Sequence, residues 1–344
     1  MASQAIRLKD IAARAGVSPM AVSYALRDAP NVSADTRERI LRIAAKMGYV
    51  ADPAVSRMMS HLAARKGRRV FQNTIALINP SVNERFIEEE EPLRLFETHA
   101  RLRAGELGYR LERFWYHEPG VSPERLRGIL QARGIEGVIL SSSGRANTRL
   151  IFDFASFAFV AVGETIADPK INRVVEYHFN NGVMALRELE ALGYGRIGFV
   201  FNKDVQEMHA MRHKAVALCH LDSLPAKRRV PIFEYDAWRD DAFMTWYRKF
   251  RPDVIVSNRN RAFEALGRAG VAVPDDVGFA QLELGAEREA LAGIETRFNV
   301  LGRAAVELLV GQLHSREVGL PDVPKVLKIE GVWTAGPTVR RVGR

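Results

Sequence analysis

Two groups of residues in this 344-residue chain have the types and spacing for chemistry. The first is cationic. Residues 1–70 carry 13 Lys/Arg against 5 Asp/Glu, whereas the remaining residues carry 37 against 36. The net charge of +9 is therefore concentrated in the first fifth of the chain, an electrostatic footprint suited to a phosphate backbone. The second group is imidazole. His209 and His213 are four apart with His220 close by, a spacing that suits metal ligands on one helix face. No matching carboxylate or cysteine constellation stands beside them in the sequence. They read as solvent or cleft histidines, and neither a metal nor a cofactor is assigned. Gly193, Gly195 and Gly198 spell G-x-G-x-x-G, but this run closes a helix and opens a strand, the reverse of a dinucleotide-binding turn. The glycines are turn punctuation. No nucleophile elbow, P-loop or catalytic carboxylate pair stands out, so the chain is not expected to be an enzyme. The single cysteine, Cys219, excludes an intrachain disulfide framework and is expected to be a buried thiol. No apolar run approaches membrane-spanning length, and Arg7, Lys9, Asp10 and Arg14 interrupt any signal-peptide pattern, so a soluble cytoplasmic protein without a membrane partner is expected.

The basic segment must be held by short helices. Leu8, Ile11, Ala12 and Ala15 recur at helical spacing and stop at Gly16. Ser18 then caps a second helix, with Pro19 at its first position, where a missing N–H costs nothing. Met20 to Leu26 continues it. A third helix follows Ser33, with Asp35 and Glu38 near its positive end and Ile40, Ile43, Ala44 and Met47 as its inner stripe. Asp52-Pro53 starts a fourth helix in the same manner, and Arg65, Lys66, Arg68 and Arg69 follow. The first two helices and their three-residue turn make a helix-turn-helix.

The stretch LKDIAARAGVSPMAVSYALRDAPNVSADTRERILRIAAKMGYVADPAVSRM resembles the headpiece of the LacI/GalR family of transcriptional regulators over residues 8–58. The resemblance implies a homodimer that reads a palindromic DNA operator, most simply as a repressor. The positions that match base-reading residues are Pro19, Met20 and Ala21, which lack side-chain donors and acceptors. Readout would then lean on thymine methyls, with Ser23 and Tyr24 supplying hydroxyls. Tyr24 stands where the family usually has Arg. Ser18, Ser33, Thr36 and Arg37 are the phosphate candidates. Met58 takes the place of the hinge side chain that wedges into the minor groove, the alternative being that Met58 and Met59 only pack between subunits.

Beyond Arg69, short apolar runs alternate with helical patterns, and Leu-Gly-Tyr closes a helix before a strand at both 107–109 and 192–194. Such alternation implies parallel α/β sheets, and the repeated scheme implies two lobes with a ligand cleft between them. The fold class expected is thus a small all-α helix-turn-helix headpiece (residues 1–50), a hinge helix and basic linker (51–70), and an α/β two-lobed periplasmic-binding-protein-like domain (71–344). By analogy with the family, lobe 1 comprises about 71–174 and 299–327, and lobe 2 about 175–298 and 328–344.

Cleft residues follow from matching positions. Arg212 stands where the family clamps its ligand, Asn258 matches the Asn of an Asn-Asp pair whose Asp is Arg259 here, and Glu283 matches the first acid of a Gly-Phe-Asp-Asp segment. His178 stands where Asp is common. Asn79, Trp115 and Ser141 end first-lobe strands. His178 and Arg259 each replace a carboxylate, which shifts the cleft from acidic towards basic and points to an anionic, sugar-derived effector. The alternative is an effector-blind regulator controlled by a protein co-repressor. No heptad ends the chain, so no tetramerising tail is expected.

Overall fold

The computed structural model describes residues 8–26, 32–47, 73–285 and 289–343, apart from the side chains at 20, 23, 24 and 26. It divides into a unit of residues 1–69 and one of 70–344. In the first, helix α1 (Leu8–Ala15) ends at Gly16, whose φ of +65° suits a residue without a Cβ. Ser18 then caps α2 (Pro19–Leu26): its Oγ accepts from the Ala21 amide at 3.1 Å. Ser33 occupies the cap position of α3 (Ala34–Lys46) in extended backbone, but its hydroxyl donates to Thr36 Oγ1 at 2.9 Å instead of accepting from a helix amide. The core of this unit is Ile11, Ala12, Ala15, Val22, Ala25, Ile40 and Ala44. Ile43 and Met47, expected on the inner stripe, are half-buried at its edge. The helix expected from Pro53, with Met58 and Met59, lies outside the described residues.

The second unit starts with β1 (Asn73–Asn79), α4 (Phe86–Glu89), α5 (Glu91–Glu106), β2 (Tyr109–Trp115), α6 (Pro123–Ala132) and β3 (Gly137–Leu140). Then come a two-residue β4 (Thr148–Arg149), β5 (Ala158–Val162), β6 (Ile166–Asp168) and β7 (Arg173–Glu176). The scheme recurs as α7 (His178–Ala191), β8 (Ile197–Asn202), α8 (Lys203–Met208), α9 (Arg212–Ser223), β9 (Phe233–Tyr235), α10 (Asp240–Phe250), β10 (Val254–Ser257), α11 (Arg261–Arg268), β11 (Gly278–Leu284) and β12 (Ala292–Glu295). Helix α12 (Phe298–Ser315), β13 (Val326–Ile329) and β14 (Val332–Thr334) close the chain.

Two six-stranded sheets result, ordered β13-β7-β5-β3-β1-β2 and β14-β12-β11-β10-β8-β9. Every neighbour pair is parallel except β12 with β14. Both sheet faces are covered, so the strands read as apolar runs whose alternate residues enter different cores. Ile75 and Leu77 of β1 pack with α5 and α12, while Ala76 and Ile78 pack with α6. In the second sheet Phe199 and Phe201 of β8 face α7 and α9, while Val200 faces α10 and α11. The chain crosses between the sheets three times: between Glu176 and His178, between Glu295 and Phe298, and between Ile329 and Val332. At the last crossing the Gly331 amide donates to Asn181 Oδ1 at 2.8 Å.

Helices α5 and α12 approach most closely at Gly302, where an added Cβ would lie 2.3 Å from the Phe96 carbonyl oxygen. That contact is with backbone, so the helices must separate to relieve it. Gly302→Ala is expected to cost about 1–3 kcal/mol, read as a lower urea midpoint at unchanged slope.

The acidic run Glu88–Glu91 is partly tied down: Glu88 accepts from Arg113 at 2.6 Å. Cys219 is exposed, not buried. The inward stripe of α9 is His213, Val216 and Ala217, and Cys219 falls off that stripe.

Candidate functional site

On the helical unit, Ser18, Pro19 and Ser33 are exposed at the N-terminal ends of α2 and α3, while Ala21, Thr36 and Arg37 are half-buried beside them. Helix N-termini present amide donors and a positive dipole end, which suits phosphate oxygens. The side chains of Met20, Ser23 and Tyr24, and all of Met58, lie outside the described residues.

In the α/β unit, the predicted cleft residues other than Arg212, which opens α9, fall at or just beyond the C-terminal ends of parallel strands, where ligands bind in open α/β sheets. Several of them turn out to hold backbone of the strand-end loops. Asn79 is fully buried: Nδ2 donates to the carbonyls of Asn83 and Glu84, both at 2.9 Å, and Oδ1 accepts from the Ser81 amide. Trp115, its register partner, donates Nε1–H to the Ser81 carbonyl at 2.9 Å. Ser141 is buried and donates to the Ser142 carbonyl. Asn258 is buried and joins strand ends, accepting from the Asn202 amide at 3.0 Å and donating to its carbonyl. These four shape the rims of the sheets.

Arg212 bridges the two lobes. Its Nε donates to Glu164 Oε2 at 3.0 Å and its Nη2 lies 2.5 Å from Oε1, a bidentate pair in which the carboxylate is nearly buried. Glu164 follows the end of β5 and carried no signal in the sequence.

His178, Glu283, His209 and His213 converge. His178 opens α7, His209 ends α8, His213 lies in the first turn of α9, and Glu283 sits near the end of β11. The two histidines four apart do not share a helix face. Between them Ala210 and Met211 adopt left-handed φ values of +49° and +58°, breaking one helix and starting the next. His213 is fully buried and His178 nearly so, so neither is a solvent histidine. Glu283 Oε1 is the hub: His209 Nδ1 lies 2.8 Å away and the Nδ1 atoms of His178 and His213 each 3.8 Å. The His178 and His209 rings stack at 4.1 Å between centroids, and His213 meets His178 edge-on at 4.9 Å. His220 stands apart, its Nδ1 3.6 Å from Glu190.

The environment separates the charges in this cluster. Burial holds His178 well below an ordinary imidazole and pushes His213 down to about 4. Burial would raise Glu283, but the facing histidines, His209 foremost, hold it below the carboxylate range. Burial opposes the charge on His209, and Glu283 overcomes it and raises its pKa. Glu176, 3.9 Å from His178 Nε2, is pushed by burial up to about 7. Exposed Arg259 is near enough to disfavour the charge on His209.

Residues 7–52 match the family model described as bacterial regulatory proteins, lacI family. Over that stretch the chain is similar to the LacI family. A curated relative, the HTH-type transcriptional regulator GntR of Pseudomonas aeruginosa, is 27% identical over 195 residues, which is 56% of this chain and 52% of the relative. The match thus spans about half of that relative's length. Two solved structures share the fold over nearly the whole length. One is a complex of the transcriptional regulator CelR with cellobiose (19% identity, TM-score 0.54, covering 97% of this chain and 99% of that one). The other is the lac repressor dimer bound to operator and the anti-inducer ONPF (18% identity, TM-score 0.56, covering 98% and 100%). The helix-turn-helix unit and the two-lobed α/β unit expected from the sequence are both present. Among the described residues no helix is long and apolar enough to cross a membrane.

Proposed function

We propose that this chain is a sequence-specific DNA-binding transcriptional regulator that acts as a homodimer on a near-palindromic operator and represses transcription there. The observation that carries this reading is the helical unit itself, a LacI-family match over residues 7–52 with exposed Ser18, Pro19 and Ser33 at helix starts and a strong excess of positive charge around them. Phosphate contacts from Ser18, Ser33, Thr36 and Arg37 set the register on DNA, while Pro19, Met20, Ala21, Ser23 and Tyr24 face base edges and Met58 wedges the minor groove. Two copies are needed because one small headpiece buries too little surface for specific affinity.

The two-lobed unit is the sensor. Solved relatives hold cellobiose or ONPF, which supports a sugar-like effector. Arg212 and Arg259 favour an anionic one, a sugar acid or sugar phosphate. An incoming carboxylate exchanges with Glu164 for the Arg212 guanidinium, so ligand binding and the interlobe ion pair compete. The ligand changes DNA affinity only through a difference in its affinity for the two arrangements of the dimer.

The test is selection of duplexes from a random pool by the full-length chain at physiological salt. A recovered motif with twofold symmetry and half-sites about one helical turn apart, or a multiple, supports the reading. Salt-sensitive binding with no enriched sequence would leave only a basic, non-specific DNA binder.

A further inference from the structure

We infer that His178, His209, His213 and Glu283 form a binding site for one divalent transition-metal ion of the zinc class. This goes beyond the regulator reading and stands whether or not the chain binds DNA. Each of the four residues offers one ligand atom, and these atoms all lie within 4.8 Å of one another. A tetrahedral zinc ion with bonds of about 2.0–2.1 Å needs its ligand atoms about 3.4 Å apart. The spacings of 2.8, 3.8 and 3.8 Å around Glu283 Oε1 bracket that value, and because the His178 and His209 rings stack nearly parallel at 17°, closing the shell takes rotation of one of those rings to aim both lone pairs at one point.

The second observation is the state of the polar atoms. Nδ1 of His178, His209 and His213, Nε2 of His213 and Oε1 of Glu283 are all buried without a hydrogen bond of acceptable geometry. The 2.8 Å approach of His209 to Glu283 is an ion-pair distance with the ring N–H badly aimed. Buried polar groups are almost always hydrogen-bonded because leaving one unsatisfied is costly, and here five such atoms share one small volume. One cation accepting the lone pairs of the four ligands resolves four of them together. A donor set of three imidazoles and one carboxylate suits Zn2+ and its neighbours in the first transition row rather than Ca2+ or Mg2+, which prefer all-oxygen shells.

The positioning is of the kind metal sites have. Four separate elements supply the ligands, and two consecutive non-glycine residues in left-handed backbone, Ala210 and Met211, are what turn His209 and His213 towards one point. Such backbone is costly and concentrates at functional sites. Behind His178, Glu176 faces the other ring nitrogen at 3.9 Å, the place of the carboxylate that orients a metal-bound imidazole. Because Glu176 and His178 flank Tyr177 at the first crossing between lobes, a metal held here ties that crossing to lobe 2.

The experiment is titration of untagged, chelator-treated full-length protein with Co2+, followed by displacement with Zn2+. The wild type is expected to take up one Co2+ per chain with the intense visible absorption of a four-coordinate ion, and to melt higher with Zn2+. Glu283→Gln and His209→Ala are each expected to weaken Co2+ binding by at least about 100-fold, since even orienting partners are worth 10–100-fold. Glu283→Gln nearly preserves shape, and an unchanged circular dichroism spectrum shows that the variant is folded. Uptake of Co2+ that both variants retain would overturn the site, as would the absence of Co2+ uptake by folded wild-type protein.

Discussion

Ile11→Ala is expected to weaken specific operator binding by the full chain roughly 10–100-fold while the α/β unit melts unchanged. Ile11 is fully buried among α1, α2 and α3, in a core that counts seven buried residues among those described, three of them larger than alanine. Removing three buried carbons from such a site costs about 2–5 kcal/mol, because the surroundings collapse only partly. A single core of this size supplies no more than about 3–5 kcal/mol in all. Once that loss exceeds the stability of the helical unit by about 1.4–2.8 kcal/mol, the unit is mostly unfolded and the affinity falls roughly 10–100-fold at 1.4 kcal/mol per decade. Fluorescence anisotropy on the selected duplex measures the affinity, and calorimetry of the same sample follows the larger unit, which has its own separate cores. Retention of wild-type affinity within about twofold would mean that these helices are not the DNA-reading element.

The second large effect concerns the interlobe pair. Glu164→Gln frees the Arg212 guanidinium from a bidentate carboxylate that is itself only 9% exposed. Arg212 is one-third exposed, so the pair is worth less than a fully buried one, and a coupling of about 1–3 kcal/mol is reasonable. If a sugar acid competes for Arg212, Glu164→Gln tightens the binding of D-gluconate or a related probe by about tenfold, and Arg212→Ala weakens it by at least as much. Isothermal titration of wild type and both variants decides the matter. Equal affinities across all three would assign the pair a purely structural role in holding the lobes together.

The architecture was largely legible in the sequence because it is written in local rules. The Gly16 stop, the Ser18 cap and the Pro19 start are contacts within a few residues, and alternating apolar runs report two-faced burial directly. Ser33 shows the limit even there: the position is right, but the hydroxyl chose a neighbouring side chain over the backbone. The cleft was legible only by matched position. His178 and Glu283 were identified in that way and do meet, whereas Asn79 spends its amide on its own loop and Asn258 spends its amide on the end of the neighbouring strand β8. What sequence reading missed is long-range. Glu164 reaches Arg212 across 48 positions, and Glu283 reaches His209 across 74 positions, so no window contains both partners. The i, i+4 spacing of His209 and His213 suggested one helix face, and the left-handed pair between them defeats that inference. The missing carboxylate of the imidazole constellation was in the chain throughout, on a strand of the same lobe.

The most direct test of the account is the affinity of the full-length chain for its selected duplex with and without a cleft ligand that has been shown to bind by calorimetry. The account predicts a change of at least about fivefold, the lower end of ordinary allosteric coupling, and loss of that change in Arg212→Ala. An identical affinity for DNA at saturating ligand would contradict it, because a ligand that favours neither arrangement of the dimer cannot regulate.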